Sequence, residues 1–362
     1  MSENGKRKRK KKKSSRTGRI VGRVLLIVLE TLLLAVGALY AVMAVYAKGP
    51  SPTASKEFIL SLRETSAIGF LAEWFYTPEE IAAMKGDGSA DVGQTDASLI
   101  NLDAGRDKTA EPAEGPQKDD WGLVDEDGDG IILEKVNGKG YFGYMMVVLD
   151  PSRVIMGSVP SSFGYRGYTV EEMVQYYDAV GGINAGGFED AGGRGNGSTP
   201  DSLVVFDGKT YYANKGVRDC FVGFDENHIL HVGRMNAQQI QDAGISSGCC
   251  FGPALIIDGN PVDASTLASG LNPRTAIGQR SDGAVLMLVI EGRQATSVGA
   301  RYQDLVDIML AYGAMNACNL DGGSSSLMYY NDSYVNNSAS VIGIRPVPTS
   351  FLVLKEGVEV HG

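Results

Sequence analysis

Ala284-Val-Leu-Met-Leu-Val-Ile-Glu-Gly-Arg293 is a run of seven apolar residues closed by an acid, a glycine and an arginine. An apolar run this short, ended by glycine, reads as a β-strand and not as a helix. The same texture recurs on both sides of it. Tyr144–Leu149, Ser202–Phe206, Ala254–Ile257 and Phe351–Leu354 are further short apolar runs among glycine turns. Phe206-Asp-Gly-Lys209 and Ile257-Asp-Gly-Asn260 have the composition of hairpin turns. From Trp121 onward, helical periodicity occurs in two stretches. One runs from Thr169 to Val180, opened by a capping box of Thr169 and Glu172. The other runs from Tyr302 to Tyr312. Strands outnumber helices, which predicts an α+β domain over 121–362: a twisted, mostly antiparallel or mixed β-sheet with flanking helices.

Upstream the composition changes three times. Residues 87–120 are rich in Gly, Asp, Ala, Thr and Pro with little apolar periodicity, and read as a flexible linker. Residues 48–86 carry apolar clusters, Pro50 and Pro52, and a Thr77-Pro78-Glu79-Glu80 helix start, and read as a juxtamembrane helical stalk. Residues 24–47 are almost wholly apolar, with Glu30 the one charge. That length matches the roughly 20 residues a helix needs to cross a bilayer. It exceeds the 7–15 apolar residues usual in a cleaved signal, so an uncleaved anchor is expected. Residues 1–23 hold eleven Lys and Arg, including Lys10–Lys13, against Glu3. The positive-inside rule then places this basic tail in the cytoplasm, in a single-pass protein of the cell membrane whose C-terminal domain is extracellular.

The chain has 33 Lys plus Arg and 43 Asp plus Glu, a net charge of -10. With the tail and Glu30 set aside, 22 basic residues face 41 acids. So acidic a domain repels a phosphate backbone, and a nucleic-acid partner is excluded. Three histidines leave a Ser-His-Asp hydrolase or a zinc hydrolase without its usual residues. His228 and His231 are expected on opposite faces of a strand. Cys220, Cys249, Cys250 and Cys318 form no CxxC pair and are expected as buried thiols, with a Cys220 bridge to Cys249 or Cys250 as the alternative. Asp125-Glu-Asp-Gly-Asp-Gly130 starts like a calcium loop, but the twelfth position, which needs Glu, is Val136. An acidic turn is expected there, with Ca2+ the lesser alternative. No other metal or cofactor is implied.

Glycines cluster where polar residues do. The clusters are Gly181-Gly-Ile-Asn-Ala-Gly-Gly-Phe188, Asn272-Pro-Arg-Thr-Ala-Ile-Gly278, Glu291-Gly-Arg293, Asn319-Leu-Asp-Gly-Gly-Ser-Ser-Ser326 and Gly343-Ile-Arg-Pro346. Glycine lets a backbone approach a ligand closely, and amides in such turns form anion-binding concavities. Arg274, Arg293 and Arg345, each near a glycine or proline, add planar forks suited to phosphate. This ordered set resembles the phosphodiester glycosidase family over about residues 121–356. Glu291 stands where the family pattern has Asp before Gly-Arg, and Ile344 where a polar residue is usual.

The resemblance implies hydrolysis of a sugar-1-phosphodiester at the glycosidic bond. It points to Asp321 and Glu291 as catalytic carboxylates. Arg274, Arg293, Arg345, Asn184, Gly186, Gly187, Thr275, Gly322, Gly323, Ser324 and Ser325 are the expected substrate-binding residues. The expected partner is a glycan or cell-envelope polymer carrying such linkages. A catalytically inert polysaccharide-binding domain is the alternative from another class, and a phosphodiesterase cutting the P–O bond is a third. Composition carries no reading of the oligomeric state.

Overall fold

The computed structural model describes residues 16–85, 93–102, 118–212, 220–263, 268–340 and 343–357, in two units divided at Ser55 and Lys56. The basic run before Arg16 and most of the expected linker lie outside the described residues. In the first unit, helix α1 (Arg16–Lys48) exposes most of its apolar side chains, with Met43 and Ala47 buried near its end. Among the described residues it is the one helix long and apolar enough to cross a membrane, as a signal anchor or a span.

The second unit begins inside α2 (Pro52–Arg63) and includes the expected stalk from Lys56 onward. Ile59 and Leu60 of α2 are fully buried. A 3-10 turn (Gly69–Trp74) and α3 (Pro78–Lys85) follow. Thr77 and Glu80 cap α3 reciprocally through each other's backbone N–H.

The remaining strands make three sheets in which every pairing is antiparallel. The first orders β1 (Ile131–Gly138), β2 (Tyr141–Val148), β13 (Val285–Ile290), β12 (Arg274–Arg280), β14 (Ala314–Asn319), β10 (Ala254–Ile257) and β11 (Asn260–Pro261). The second orders β16 (Ser333–Tyr334), β15 (Met328–Tyr330), β4 (Ala179–Asn184), β17 (Thr349–Leu354) and β3 (Val154–Ser158). The third orders β6 (Lys209–Tyr212), β5 (Val204–Phe206), β9 (Ile245–Phe251), β7 (Cys220–Asp225) and β8 (Leu230–Gly233).

All three sheets turn one face to a common core. Met146, Met287 and Val289 come from the first, Ile183, Met328 and Phe351 from the second, and Val222, Phe224 and Val232 from the third. Phe224 and Phe351 meet edge to face with centroids 5.9 Å apart. Each outer face carries a helix: α6 (Tyr302–Ala311) on the first, α4 (Val170–Tyr176) on the second, α5 (Ala237–Asp242) on the third. The unbroken apolar run at 284–290 now has its cause. Val285, Met287 and Val289 face the common core, while Leu286, Leu288 and Ile290 face α6. A strand covered on both sides has no polar face to show.

Thr169 caps α4 with Glu172 as expected, but the helix stops at Tyr176 instead of Val180. Asp178 takes φ +50, and the chain enters β4 at Ala179. Both expected hairpin turns form, with left-handed φ at Asp207-Gly208 and Asp258-Gly259. His228 differs from expectation. It sits in a turn at φ +61, outside the strand, and only His231 lies on β8, where it pairs with buried Asp225 at 3.0 Å. The four cysteines are free and buried, and burial pushes the Cys249 and Cys318 thiols up. Arg280, 1 % exposed, stacks on Trp121 and pairs with Asp119 at 2.6 Å and Asp282 at 2.8 Å. This clip fastens the entry of the domain to the far end of β12.

Candidate active site

Asp321 stands on the turn that follows β14. Three backbone bonds fix that turn: Leu320 N–H to Thr275 O, Asp321 N–H to Ala185 O, and Gly323 N–H to Pro273 O. The turn is thereby held between the end of β4 and the start of β12. Asn184, fully buried, braces the same place. Its Nδ2 donates to Asp321 O at 2.6 Å, and its Oδ1 accepts from Thr275 Oγ1 at 2.9 Å and Leu327 N at 3.1 Å. Asn184 and Thr275 therefore position the site from beneath.

The Asp321 side chain is partly exposed and accepts from Gly322 N–H at 3.0 Å and from Ser325. Burial raises its pKa to about 6, nearby Asp190 adds to the rise, and Ser325, Arg345 and the Gly322 N–H oppose it. Arg345 reaches the same turn, donating to Ser324 Oγ at 3.1 Å. Its main partner is Asp190, in a bidentate pair of 2.6 and 2.9 Å. The guanidinium also donates to Gly195 O and lies over the Phe188 ring. Burial works to raise the Asp190 carboxyl, but Arg345, the Gly195 N–H and Ser66 outweigh it and hold it below the usual range. Asp190 escaped the sequence reading. Its signal was an acid inside a glycine-rich run with an arginine left to pair near the other end of the chain.

Arg293 approaches the turn at Gly323. Its backbone is left-handed at φ +57. Its Nη2 donates to Asn272 Oδ1 at 3.1 Å and Thr65 Oγ1 at 3.0 Å. A Cβ on Gly323, itself at φ +63, would come within 3.2 Å of that nitrogen. Glycine is thus needed where the turn passes under the arginine. A Cβ on Gly322 would come within 3.0 Å of Pro273 O. Gly186 and Gly187 serve packing, since a Cβ there would press on Cys249 and Phe251.

Two expected site residues are engaged elsewhere. Glu291 is 1 % exposed, and its carboxylate accepts from Gln294 Nε2, Asn337 N–H at 2.8 Å and Asn337 Nδ2 at 3.2 Å. Among the described residues no hydrogen bond joins it to the Asp321–Arg345 group. Arg274 points to Glu64 at 2.7 Å, Gly270 O and Ala300 O, and lies on the Tyr302 ring. The acidic loop also has a defined form. Asp125, Asp127 and Asp129 bring one oxygen each within 4.8 Å of one another. Asp125 accepts from the Gly128 and Gly130 N–H groups, and Asp129 from Ile131 N–H and Tyr330 OH. A divalent cation would have to share these oxygens with the turn.

The family model for phosphodiester glycosidases matches residues 177–354, which contain Asp190, Arg293, Asp321 and Arg345. Residues 177–354 belong to the phosphodiester glycosidase family. The chain is 33% identical over 180 residues to the SPbeta prophage-derived uncharacterized protein YomE of Bacillus subtilis (strain 168). That match takes in 47% of this chain and 27% of that protein, so the chain spans about a quarter of its relative's length. Among solved structures, the zebrafish N-acetylglucosamine-1-phosphodiester alpha-N-acetylglucosaminidase catalytic domain, described as auto-inhibited by its pro-peptide, superposes with a TM-score of 0.53 at 18% identity. The superposition covers 62% of this chain and 82% of that one. At that identity the likeness is one of fold. A putative exported protein from Burkholderia pseudomallei K96243 gives a TM-score of 0.45 at 19% identity, over 59% of this chain and 74% of its own. The phosphodiester glycosidase domain is thus an α+β fold of antiparallel sheets carrying a hydrolase-family sequence.

Proposed function

We propose that this chain is a membrane-anchored extracytoplasmic hydrolase that cleaves the glycosidic bond of a sugar-1-phosphodiester in a glycan or cell-envelope polymer. The observation that carries the reading is a partly exposed carboxylate, Asp321, on a turn that Arg345 reaches at Ser324 and Arg293 at Gly323. The anchor is α1, with its basic end inside the cell.

Cleavage at the C1–O bond sends the bonding electrons to a phosphate oxygen. The departing phosphate monoester is a stable anion and needs charge stabilisation more than a proton. Arg293 and Arg345 supply it. Water bonds to C1, and its proton passes to Asp321, whose pKa of about 6 suits a general base near neutral pH. Asp190 holds Arg345 in its orientation through the bidentate pair. Glu291, with its oxygens committed to Gln294 and Asn337, fixes the loop that presents Arg293 and stays out of the chemistry. With one carboxylate acting on water and no general acid required, the sugar leaves with inverted anomeric configuration.

The test uses the full chain in detergent micelles with an N-acetylglucosamine-1-phosphodiester in heavy-oxygen water. Free sugar should appear labelled at C1 and inverted, and Asp321→Asn should lower its release about 10²- to 10⁴-fold, the usual share of a general base. Label in phosphate would turn the reading into P–O cleavage. Retained configuration would restore a second carboxylate as nucleophile. Binding without release would leave a polysaccharide-binding domain.

A further inference from the structure

The 3-10 turn between α2 and α3 buries its small residues and exposes its large ones. Gly69 and Ala72 are buried, while Phe70 and Trp74 are 56 % and 53 % exposed. Ile68, just before the turn, is exposed as well. Water favours the reverse order, with large apolar side chains inward. Past α1, no other stretch of seven described residues exposes three large apolar side chains. Glu73 is the one charge between Thr65 and Tyr76, and Arg63 pairs with it at 3.0 Å.

The backbone behind these side chains is fastened down. Thr65 Oγ1 accepts from Arg293, Ser66 bonds to Asp190, and Ala67 lies against Gly193, where an added Cβ would meet it at 3.3 Å. Thr65 O then accepts from Ile68 N–H, and Ile68 O from Leu71 N–H. Phe70 and Trp74 meet edge to face, with centroids 6.1 Å apart and planes at 67°.

An exposed apolar patch on a nearly neutral background marks a contact with another molecule or with a membrane. Two observations select the lipid. The turn begins 21 positions after Lys48, the last residue of α1, so an anchor in α1 keeps it beside a bilayer. Tryptophan among aromatic neighbours is also the composition of the layer between headgroups and acyl chains, where the ring is buried and the indole N–H meets polar groups. A glycan stacks instead on a flat ring framed by hydrogen-bonding side chains. Here the two rings cross, and the residue beside them, Ile68, is aliphatic.

We propose that the Ile68–Trp74 turn seats in the headgroup layer of the membrane that α1 enters. This rests on the anchor in the function proposed above, and it adds a second contact with lipid in the unit that carries the glycosidase domain. A single tether leaves that unit free to turn, whereas two contacts fix the face it shows to the membrane.

The test uses the two tryptophans of the chain, Trp74 and Trp121, since α1 has none. The full chain is placed in phosphatidylcholine vesicles with and without lipids brominated near the headgroup end of their acyl chains. Trp74 emission is the difference between the parent and Trp74→Phe. It should fall about twofold in the brominated vesicles, with little effect of iodide in the water. Phe70→Ser, at a side chain more than half exposed, should roughly halve the bromine effect. Quenching by iodide and not by bromine, as expected of a glycan-binding face, overturns the seat. So does shielding from both, which means that a second copy of the chain covers the turn. Alkaline carbonate is then applied to the same vesicles. Retention of the chain without bromine quenching sinks the seat and keeps the anchor, whereas release of the chain sinks both.

Discussion

Replacing Asp321 by asparagine should make the protein more stable at neutral pH while removing its activity. The carboxyl titrates at about 6 in the fold against an ordinary value of 3.8. At about 1.36 kcal/mol per pH unit, that difference is worth about 3 kcal/mol. A raised carboxyl pKa means the folded protein holds the proton more tightly than the unfolded chain. The benefit is therefore full below about pH 4 and is lost as pH rises through 6. At pH 7 the parent holds an ionised group that its surroundings disfavour, and asparagine removes that penalty while still accepting from Gly322 N–H. Partial exposure screens the effect, so about 1–3 kcal/mol is the expected gain, a few degrees in Tm for a unit this large. Urea unfolding of parent and variant in micelles, at pH 4 and pH 7, measures it. The gain should be present at pH 7 and nearly absent at pH 4. A variant no more stable than the parent at pH 7, or one whose advantage is the same at both pH values, refutes the argument that burial raises this carboxyl.

Arg345→Met leaves Asp190 without its bidentate partner and should cost about 3 kcal/mol. Because Asp190 titrates below the usual range in the fold, that deficit should shrink as pH falls, and a pH-independent loss would count against the pair. Glu291→Gln keeps an oxygen for Asn337 but faces Gln294 with a second donor. It should lose about 1–2 kcal/mol of stability while kcat stays within about tenfold, and a thousandfold fall in kcat would return Glu291 to the chemistry. Gly323→Ala puts a side chain at φ +63 and 3.2 Å from Arg293 Nη2. Steady-state kinetics should show KM rising, with a stability loss of about 1–2 kcal/mol.

What could be read from the sequence was whatever local pattern fixes. Val285–Ile290 declared itself because both faces are buried, and α4 because Thr169 and Glu172 cap it within four residues. β4 did not. Gly181 and Gly182 look like a ligand loop, yet they sit mid-sheet because a Cβ on either would press on the Tyr329 or Phe351 carbonyl. The site behaved alike. Asp321 and Arg345 stood out through glycine turns, whereas Asp190 acquires its meaning only when Arg345, 155 residues later, folds onto it. Arg274 looked like an anion-binding residue and is one, but the anion it holds in this structure is Glu64, which no periodicity marks.

The order of strands in the first sheet also sets an order in time. β2 lies between β1 and β13, so its second edge stays open while the chain from Asp150 to Ala284 is being made. That edge belongs to Met145–Val148, among the most apolar segments of the domain, and an open apolar edge invites the wrong partner. Long-range pairing of this kind is slow to form and leaves the growing chain exposed. A chain arrested during synthesis just before Ala284 should therefore aggregate, and one arrested after Arg293 should not.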